Sequence, residues 1–288
     1  MLRNIYHKIK RTALNNLSGK PTINVTKPYL IELQEKNRFK HQVAVVTGGS
    51  GAIGRAICCR LAAEGAIVYV CGMTESKINE VVAEIKTQLQ GEAYPLKLNV
   101  TDLINIETAF AQIIEKHGTI DILVNSAGGS LRGQSNELTG QDINLIKQNI
   151  NINLIGSLAC SKEAAKAMKT KKKGRIITIS SIIGDHGKAG FTEYAAAKGG
   201  TNASVKSLAM ELGKYGITVN CVSPGIVQRD EITPYQMEQI KKKNYMNSFG
   251  KPEDISNMVA FLASSEASFI TGQNFIVDGG RSLGLKGD

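Results

Sequence analysis

From residue 42 onward, short runs of β-branched and aliphatic residues alternate with longer stretches in which apolar positions recur at helical spacing. The short runs predict strands near Val43–Thr47, Ile67–Cys71, Tyr94–Leu98, Ile120–Asn125, Arg175–Ser180, Thr218–Ser223 and Phe275–Val277. The stretches between them predict helices over about 53–64, 75–89, 102–117, 140–170, 192–214 and 252–264. This regular alternation is the pattern of an α/β fold, a doubly wound, seven-stranded parallel sheet with helices on both faces. There is no internal repeat. In such sheets ligands bind beyond the carboxyl ends of the strands, so the residues that follow each strand are where function is to be sought.

The first strand runs into Thr47-Gly48-Gly49-Ser50-Gly51-Ala52-Ile53-Gly54, and the helical stretch Arg55–Glu64 follows at once. Glycines permit a tight turn and a close backbone approach, while the helix that follows offers unpaired N–H groups and the positive end of its dipole to a pyrophosphate. Gly49, Gly51 and Gly54 satisfy the G-x-G-x-x-G spacing of dinucleotide sites; a plain β–α turn is the alternative. After the second strand the chain reads Cys71-Gly72-Met73-Thr74-Glu75. Gly72 stands where an acidic residue would bind a free ribose and repel a 2′-phosphate, so NADP is not excluded. Neither position 51 nor 73 is Arg, which leaves Thr74, Ser76 and Lys77 as phosphate contacts and a lean towards NADP over NAD.

Composition narrows the classes. Hydrophobic residues make up 42% and charged residues 21%, the balance of a globular protein rather than a disordered, collagen-like or membrane-spanning one. No linker-like segment divides the chain, so residues 41–288 are expected to form one catalytic domain behind an extension of residues 1–40. The five cysteines are odd in number, sit mostly in apolar runs and lack metal-ligand spacing. They point to a reduced, cytoplasmic setting with no metal; no secretory pattern opens the chain. Much of the net charge of +10 lies at the front, where nine basic residues through residue 40 face only Glu32 and Glu35. The body therefore needs no nucleic-acid partner. Within residues 1–20, Leu2, Ile5, Tyr6, Ile9, Ala13 and Leu17 form a basic amphipathic stripe. It reads as a peripheral membrane or subunit-docking helix, as a helix packed on its own domain, or as a frayed terminus.

Tyr194-Ala195-Ala196-Ala197-Lys198 places a phenol and an ammonium one helical turn apart on the same face. A nearby cation favours phenolate, the property needed to pass a proton to a nascent alkoxide. The spacing alone is weak, because Tyr6 and Lys10 repeat it by accident. Context comes from Ser180 and Ser181, which close one apolar strand, and from Asn125-Ser126-Ala127-Gly128, which closes another. With the glycine-rich turn, Ser181, Tyr194 and Lys198 in this order resemble the short-chain dehydrogenase/reductase family over about residues 41–282. Asn153, Asn220–Gly225, Phe249–Ile255 and Thr271–Gly280 continue the resemblance.

The resemblance implies a Rossmann-type fold and a hydride transfer between NAD(P) and a carbonyl or secondary alcohol. Tyr194 would give or take the proton, Lys198 would assist it and bind the nicotinamide ribose, Ser181 would hold the substrate oxygen, and Asn153 would hold a water leading to Lys198. Thr47, Gly48, Ser50, Gly51, Ala52, Ile53 and Gly54 would line the cofactor site. So would Gly72, Met73, Thr74, Asn99, Val100, Asn125, Ala127, Gly128, Pro224, Gly225, Ile226 and Val227, together with Tyr194 and Lys198. The chain departs from the family at Ala52, at Asn99, where an aspartate commonly touches adenine, and at Arg229, which opens a polar stretch Gln228–Asn247 read as a mobile lid. Arg229, Asp230, Glu231 and Lys241–Lys243 there suggest polar or anionic ligands, or simply face water. The resemblance is nearest to 3-oxoacyl-carrier-protein reductases, with Lys171–Lys173 matching a patch for acidic carrier protein. Sugar or polyol dehydrogenases are the alternative, and a non-catalytic dinucleotide-binding scaffold the alternative of another class. By resemblance, a homo-oligomer, tetramer or dimer, is expected.

Overall fold

The structure, a computed structural model, describes residues 37–130, 136–228 and 233–284. The amphipathic stripe of residues 1–20 and Arg229, Asp230 and Glu231 lie outside the described residues. Seven strands form one parallel sheet: β1 Val43–Thr47, β2 Ile67–Gly72, β3 Glu92–Lys97, β4 Ile122–Asn125, β5 Gly174–Ile179, β6 Ile217–Pro224 and β7 Asn274–Val277. They lie side by side in the order β3-β2-β1-β4-β5-β6-β7. The chain order reverses between β1 and β4, where Thr47 lies beside Asn125, and helices that turn away on either side open a crevice there.

The helices are α1 Ala52–Ala63, α2 Glu75–Gln88, α3 Leu103–His117, α4 Ile143–Ile150, α5 Gly156–Lys171, the short α6 Ile183–His186, α7 Thr192–Leu212, α8 Pro234–Lys241 and α9 Pro252–Ala263. Alternate residues of each buried strand feed two separate cores. On one face Val46, Val68 and Val70 pack with Ile57 and Leu61 of α1, Ile85 of α2 and Val259 of α9. On the other, Val45, Leu123 and Ile176 pack with Phe110 of α3, Met168 of α5 and Val205 of α7. β3 is an edge strand, and Pro95 is tolerated within it because an edge strand keeps one unpaired side.

Three local expectations are corrected. The helix expected over 140–170 is α4 and α5 joined by a π-helical turn, Asn151–Ile155. Gly156 follows that turn, and a Cβ there would stand 2.6 Å from the Val100 carbonyl oxygen, so the chain at this point is drawn tight against the segment after β3. Within the stretch read as a lid lies a helix, α8, that the apolar periodicity did not predict. Thr233 Oγ accepts from the Gln236 amide and Gln236 Oε1 accepts from the Thr233 amide, a reciprocal cap with Pro234 at the first helical position. The body also begins before residue 41, since Phe39 is wholly buried in the first core.

All five cysteines are buried and unpaired, and burial pushes the Cys59, Cys160 and Cys221 thiols up to about 12. They act as small apolar residues of the core. Glu64, at the end of α1, gathers Arg38 and Arg60, with Arg60 Nε 2.6 Å from its carboxylate. Arg38 also reaches Glu266 at 3.2 Å, and Arg60 reaches Asn257 of α9 at 2.8 Å. Burial pushes the Glu64 carboxyl up, but the two guanidinium hydrogen bonds outweigh it and hold the group below the usual carboxylate range. A carboxyl depressed in the folded state adds stability above its unfolded value and loses it as pH falls through the folded one. Glu64→Gln is therefore expected to cost about 2 kcal/mol at neutral pH, measured by urea denaturation, with the deficit against wild type shrinking as the pH is lowered below that of an ordinary carboxyl.

Candidate active site

At the carboxyl edge of the sheet, the turn after β1 is shaped by what glycine omits. Gly48 takes φ +64°, and a Cβ on it would stand 2.8 Å from Ala127 Cα. A Cβ on Gly54 would stand 2.1 Å from the Gly48 carbonyl oxygen. Thr47 Oγ accepts from the amides of Ser126 and Ala127, each at 3.1 Å, and so ties the end of β1 to the segment after β4. The first-turn amides of Ala52, Ile53 and Gly54 have no intrahelical acceptor. They border a hollow of about 250 Å³ that also touches Gly128, Tyr194 and Lys198. A pyrophosphate would meet there N–H donors and the positive end of α1 with no Cβ in its way, so the residues present fit a dinucleotide. Ala52, the departure placed in this turn, is simply the first residue of α1 and lines the hollow.

Other expected contacts divide into those that border the crevice and those that brace it. Gly72 ends β2, and a Cβ on it would meet Ser50 Oγ at 3.1 Å, so an acidic side chain there would crowd the turn. Met73, Thr74, Ser76 and Lys77 are exposed beside it, and Glu75 pairs with Lys97 at 3.0 Å. Asn99 accepts through Oδ1 from the Thr101 amide at 3.1 Å and from its hydroxyl at 2.8 Å, which leaves its NH2 as the group to offer an adenine acceptor. Val100 is buried against Gly156. Asn125 is a brace: it donates to Ser161 Oγ at 2.9 Å and to Thr178 Oγ at 3.3 Å. Beyond Pro224, Gly225 and Ile226 line a second cavity, while Val227 is buried and bridges to Gly250.

Asn153 stands in the π-helical turn and clamps the segment after β4. Its Oδ1 accepts from Gly129 N at 3.1 Å, and its Nδ2 donates to Gly129 O at 3.0 Å and to Asn149 Oδ1 at 2.9 Å. Gly128 is required beneath it, because a Cβ there would stand 2.3 Å from Asn153 Oδ1. The side chain of Asn153 thus braces the crevice wall.

Tyr194 and Lys198 rise from the first turns of α7 and are both buried. Lys198 Nζ donates to the Ile179 carbonyl at 2.8 Å, at the very end of β5, and lies 5.7 Å from the Tyr194 ring centroid. α7 is held to α6 at Gly184, where a Cβ would stand 2.8 Å from the Lys198 carbonyl carbon. Ser180 donates to Asn202 of α7, behind the site. Ser181 Oγ accepts from the Ile183 amide at 3.2 Å, at the start of α6, and also borders the second cavity, of about 780 Å³. That cavity and the glycine-lined hollow have one lining residue in common, Tyr194. A phenol in the wall between two chambers, with an ammonium on its inner side, can exchange a proton with a molecule in the larger chamber while a cofactor fills the smaller.

The model of the family described as Enoyl-(Acyl carrier protein) reductase matches residues 48–282, the whole span from the glycine turn to the segment after β7. The chain belongs to the short-chain dehydrogenase/reductase family. It is an oxidoreductase that acts on hydroxyl or carbonyl groups with a nicotinamide dinucleotide. Within the family it is 39% identical over 245 residues to the 3-oxoacyl-[acyl-carrier-protein] reductase of Escherichia coli, a match covering 84% of this chain and 98% of that one. It is 34% identical to a (2S)-[(R)-hydroxy(phenyl)methyl]succinyl-CoA dehydrogenase subunit of Thauera aromatica, over 85% of this chain and 98% of that one. A crystal structure of a protein assigned provisionally as a gluconate dehydrogenase, from Agrobacterium tumefaciens, superposes with a TM-score of 0.80 at 28% identity, covering 88% of this chain and 100% of that one.

Arg281 and Lys188, on the larger cavity of this oxidoreductase, were not singled out by the sequence. Arg281 directly follows Val277-Asp278-Gly279-Gly280, a motif read only as a family mark, and nothing in its spacing shows that the turn folds back over the crevice. Gly54→Ala, which drives a methyl into the Gly48 carbonyl, is expected to raise the Kd for a reduced nicotinamide dinucleotide at least about tenfold, read by cofactor fluorescence. A melting temperature taken alongside separates that loss from unfolding.

Proposed function

We propose that this chain is an NADPH-preferring reductase of 3-oxoacyl thioesters, with Tyr194 as proton donor. The observation that carries the chemistry is the place of Tyr194 as the one residue shared by the two cavities. Identity of 39% to the Escherichia coli reductase over nearly its full length supports the substrate class. The nicotinamide, when bound, supplies the hydride; the protein supplies geometry and charge. Tyr194 gives its hydroxyl proton to the carbonyl oxygen as that oxygen gains charge, or takes it back in the oxidation direction. Lys198, anchored on the Ile179 carbonyl, keeps a positive charge beside the phenol and binds the ribose hydroxyls. Ser181 holds the substrate oxygen, and Asn153 acts as a positioning residue through Gly129. Thr47–Gly54, Gly72–Thr74, Asn99, Val100, Asn125–Gly128 and Pro224–Val227 form or support the cofactor site.

NADPH is favoured because Gly72 leaves no carboxylate at the end of β2, and Thr74, Ser76 and Lys77 stand exposed beside it. Residues 41–288, together with the preceding turn that seats Phe39 in the core, act as the catalytic domain, and the rest of residues 1–40 as an extension. Among the described residues no helix is long and apolar enough to cross a membrane, which suits a cytoplasmic enzyme. Met210 on α7 and Phe269 before β7, 81% and 102% exposed, support assembly through the long helices and the last strand, as a dimer or tetramer. Carrier-bound substrate is compatible with the open cavity. Lys171–Lys173, however, precede β5 and so stand at the opposite edge of the sheet, one strand length or about 20 Å from the cavity. A second reading, dehydrogenation of a sugar acid or polyol, is favoured by the Agrobacterium structure and by the polar lining of the larger cavity.

The test is loss of NADPH and NADH absorbance against a panel of 3-oxoacyl thioesters and keto sugar acids. Turnover is expected with the thioesters and NADPH. Tyr194→Phe is expected to lower kcat by about a hundredfold or more while its NADPH affinity stays within a few-fold. Undiminished turnover in that variant would refute the assignment of the proton donor.

A further inference from the structure

Reduction of a carbonyl needs one proton donor, yet the larger cavity also gathers His186, Lys188, Lys242, Lys243 and Arg281. Among the described residues no carboxylate lines it. The neighbouring acids among the described residues are committed elsewhere. Asp185, next to His186, accepts from the amide nitrogens of Asn202 at 2.9 Å and Asn274 at 2.8 Å. Asp278, at the start of the turn that carries Arg281, accepts from the backbone amides of Gly280 at 2.8 Å and Ser282 at 2.6 Å. Glu238 of α8 pairs with Lys241 at 3.0 Å, one residue short of Lys242.

The cationic segments are also held in place. Tyr245 N donates to the Gly279 carbonyl at 3.0 Å, joining the turn after β7 to the loop after α8. Gly279 and Gly280 take φ +65° and +80°, a doubled left-handed turn that few side chains would allow. Arg281 Nη1 donates to the Lys243 carbonyl at 3.2 Å. One carbonyl orients the guanidinium and leaves its other donors for a ligand. Lys188 belongs to the wall, with its Nζ 4.0 Å from the Phe191 ring centroid. Lys242, Lys243 and Arg281 are then like charges on two stitched segments, and an anion between them would relieve their repulsion.

We propose that Arg281, with Lys242 and Lys243, forms a specificity rim on the substrate cavity that reads a phosphate or carboxylate carried by the substrate beyond its reacting carbonyl. A guanidinium fork suits either anion. The proposal rests on the cavity beside Tyr194 being the substrate site. On a 3-oxoacyl thioester the anion is the phosphate of its pantetheine arm; on a keto acid it is the substrate's own carboxylate.

The test compares acetoacetyl-CoA with acetoacetyl-N-acetylcysteamine, which keeps the reacting group and lacks phosphate, and adds a keto sugar acid. Wild type is expected to favour the phosphorylated thioester, and more so at low ionic strength. Arg281→Gln is expected to cut the ratio of kcat/KM, phosphorylated over neutral, about tenfold, mainly through KM, and Arg281→Lys to recover part of it. Equal losses on the two thioesters, or no wild-type preference between them, would mean that Arg281 only shapes the turn, and would overturn the rim. If wild type reduces the keto acid and neither thioester, the thioester reading fails alone. The rim then stands if Arg281→Gln raises the KM for the keto acid and falls if it does not. NADPH affinity and melting temperature of both variants identify a general loss of structure.

Discussion

The carbonyl of Gly48 and the Cα of Gly54 touch so closely that a Cβ would stand 2.1 Å from the oxygen. That contact seats the first turn of α1 against the end of β1 and aims its unpaired amides into the crevice. A methyl would push the helix away, and the hollow would lose its donors. The same turn meets β4, because Gly48 leaves room for Ala127 and Thr47 binds the Ser126 and Ala127 amides. Gly128 in turn lies under Asn153. Two glycines without which backbones would collide, Gly48 and Gly54, and a third, Gly128, that leaves room for the Asn153 side chain thus build the floor of the site.

Against that floor, α7 carries the residues proposed for the chemistry. It is fixed by Gly184 of α6 at the level of Lys198 and by Ser180 and Asn202 behind it. Lys198 is buried, with its charge directed to the Ile179 carbonyl and the face of Tyr194 kept beside it. The proposed proton transfer through Tyr194 depends on this placement, because a phenol in the wall reaches one molecule on each side. The larger chamber carries several basic side chains where the hollow has Lys198, and of the described acids nearby Asp185 and Asp278 are held by amides and Glu238 by Lys241. Charge in that chamber is, in the proposal, what selects the substrate, while the chemical step stays with Tyr194.

Much of this was legible in the sequence because it is local or periodic. The glycine turn is eight consecutive residues, Thr47–Gly54, and Tyr194 and Lys198 share a helix face by their spacing. The strands show themselves because burial on both faces demands apolar runs. What could not be read depends on contacts distant in sequence. The π-helical turn at Asn151–Ile155 lies where Gly156 meets the Val100 carbonyl, and Asn153 finds its partner at Gly129. Arg281 reaches the cavity only because Asp278 and two left-handed glycines fold the chain back to Lys243. Helix α8 was legible after all, in Thr233-Pro234-Tyr235-Gln236, but its polar composition masked the cap.

On this reading a dinucleotide lies across the ends of β1, β4 and β5 with its reactive end at Tyr194. Hydrogen–deuterium exchange of the whole chain, with and without saturating NADPH, tests it most directly. Slower exchange concentrated in residues 48–54, 125–129, 179–184 and 194–198 is the predicted result. Bound cofactor that leaves those segments unchanged, or protects the opposite edge of the sheet around residues 171–175, would contradict it.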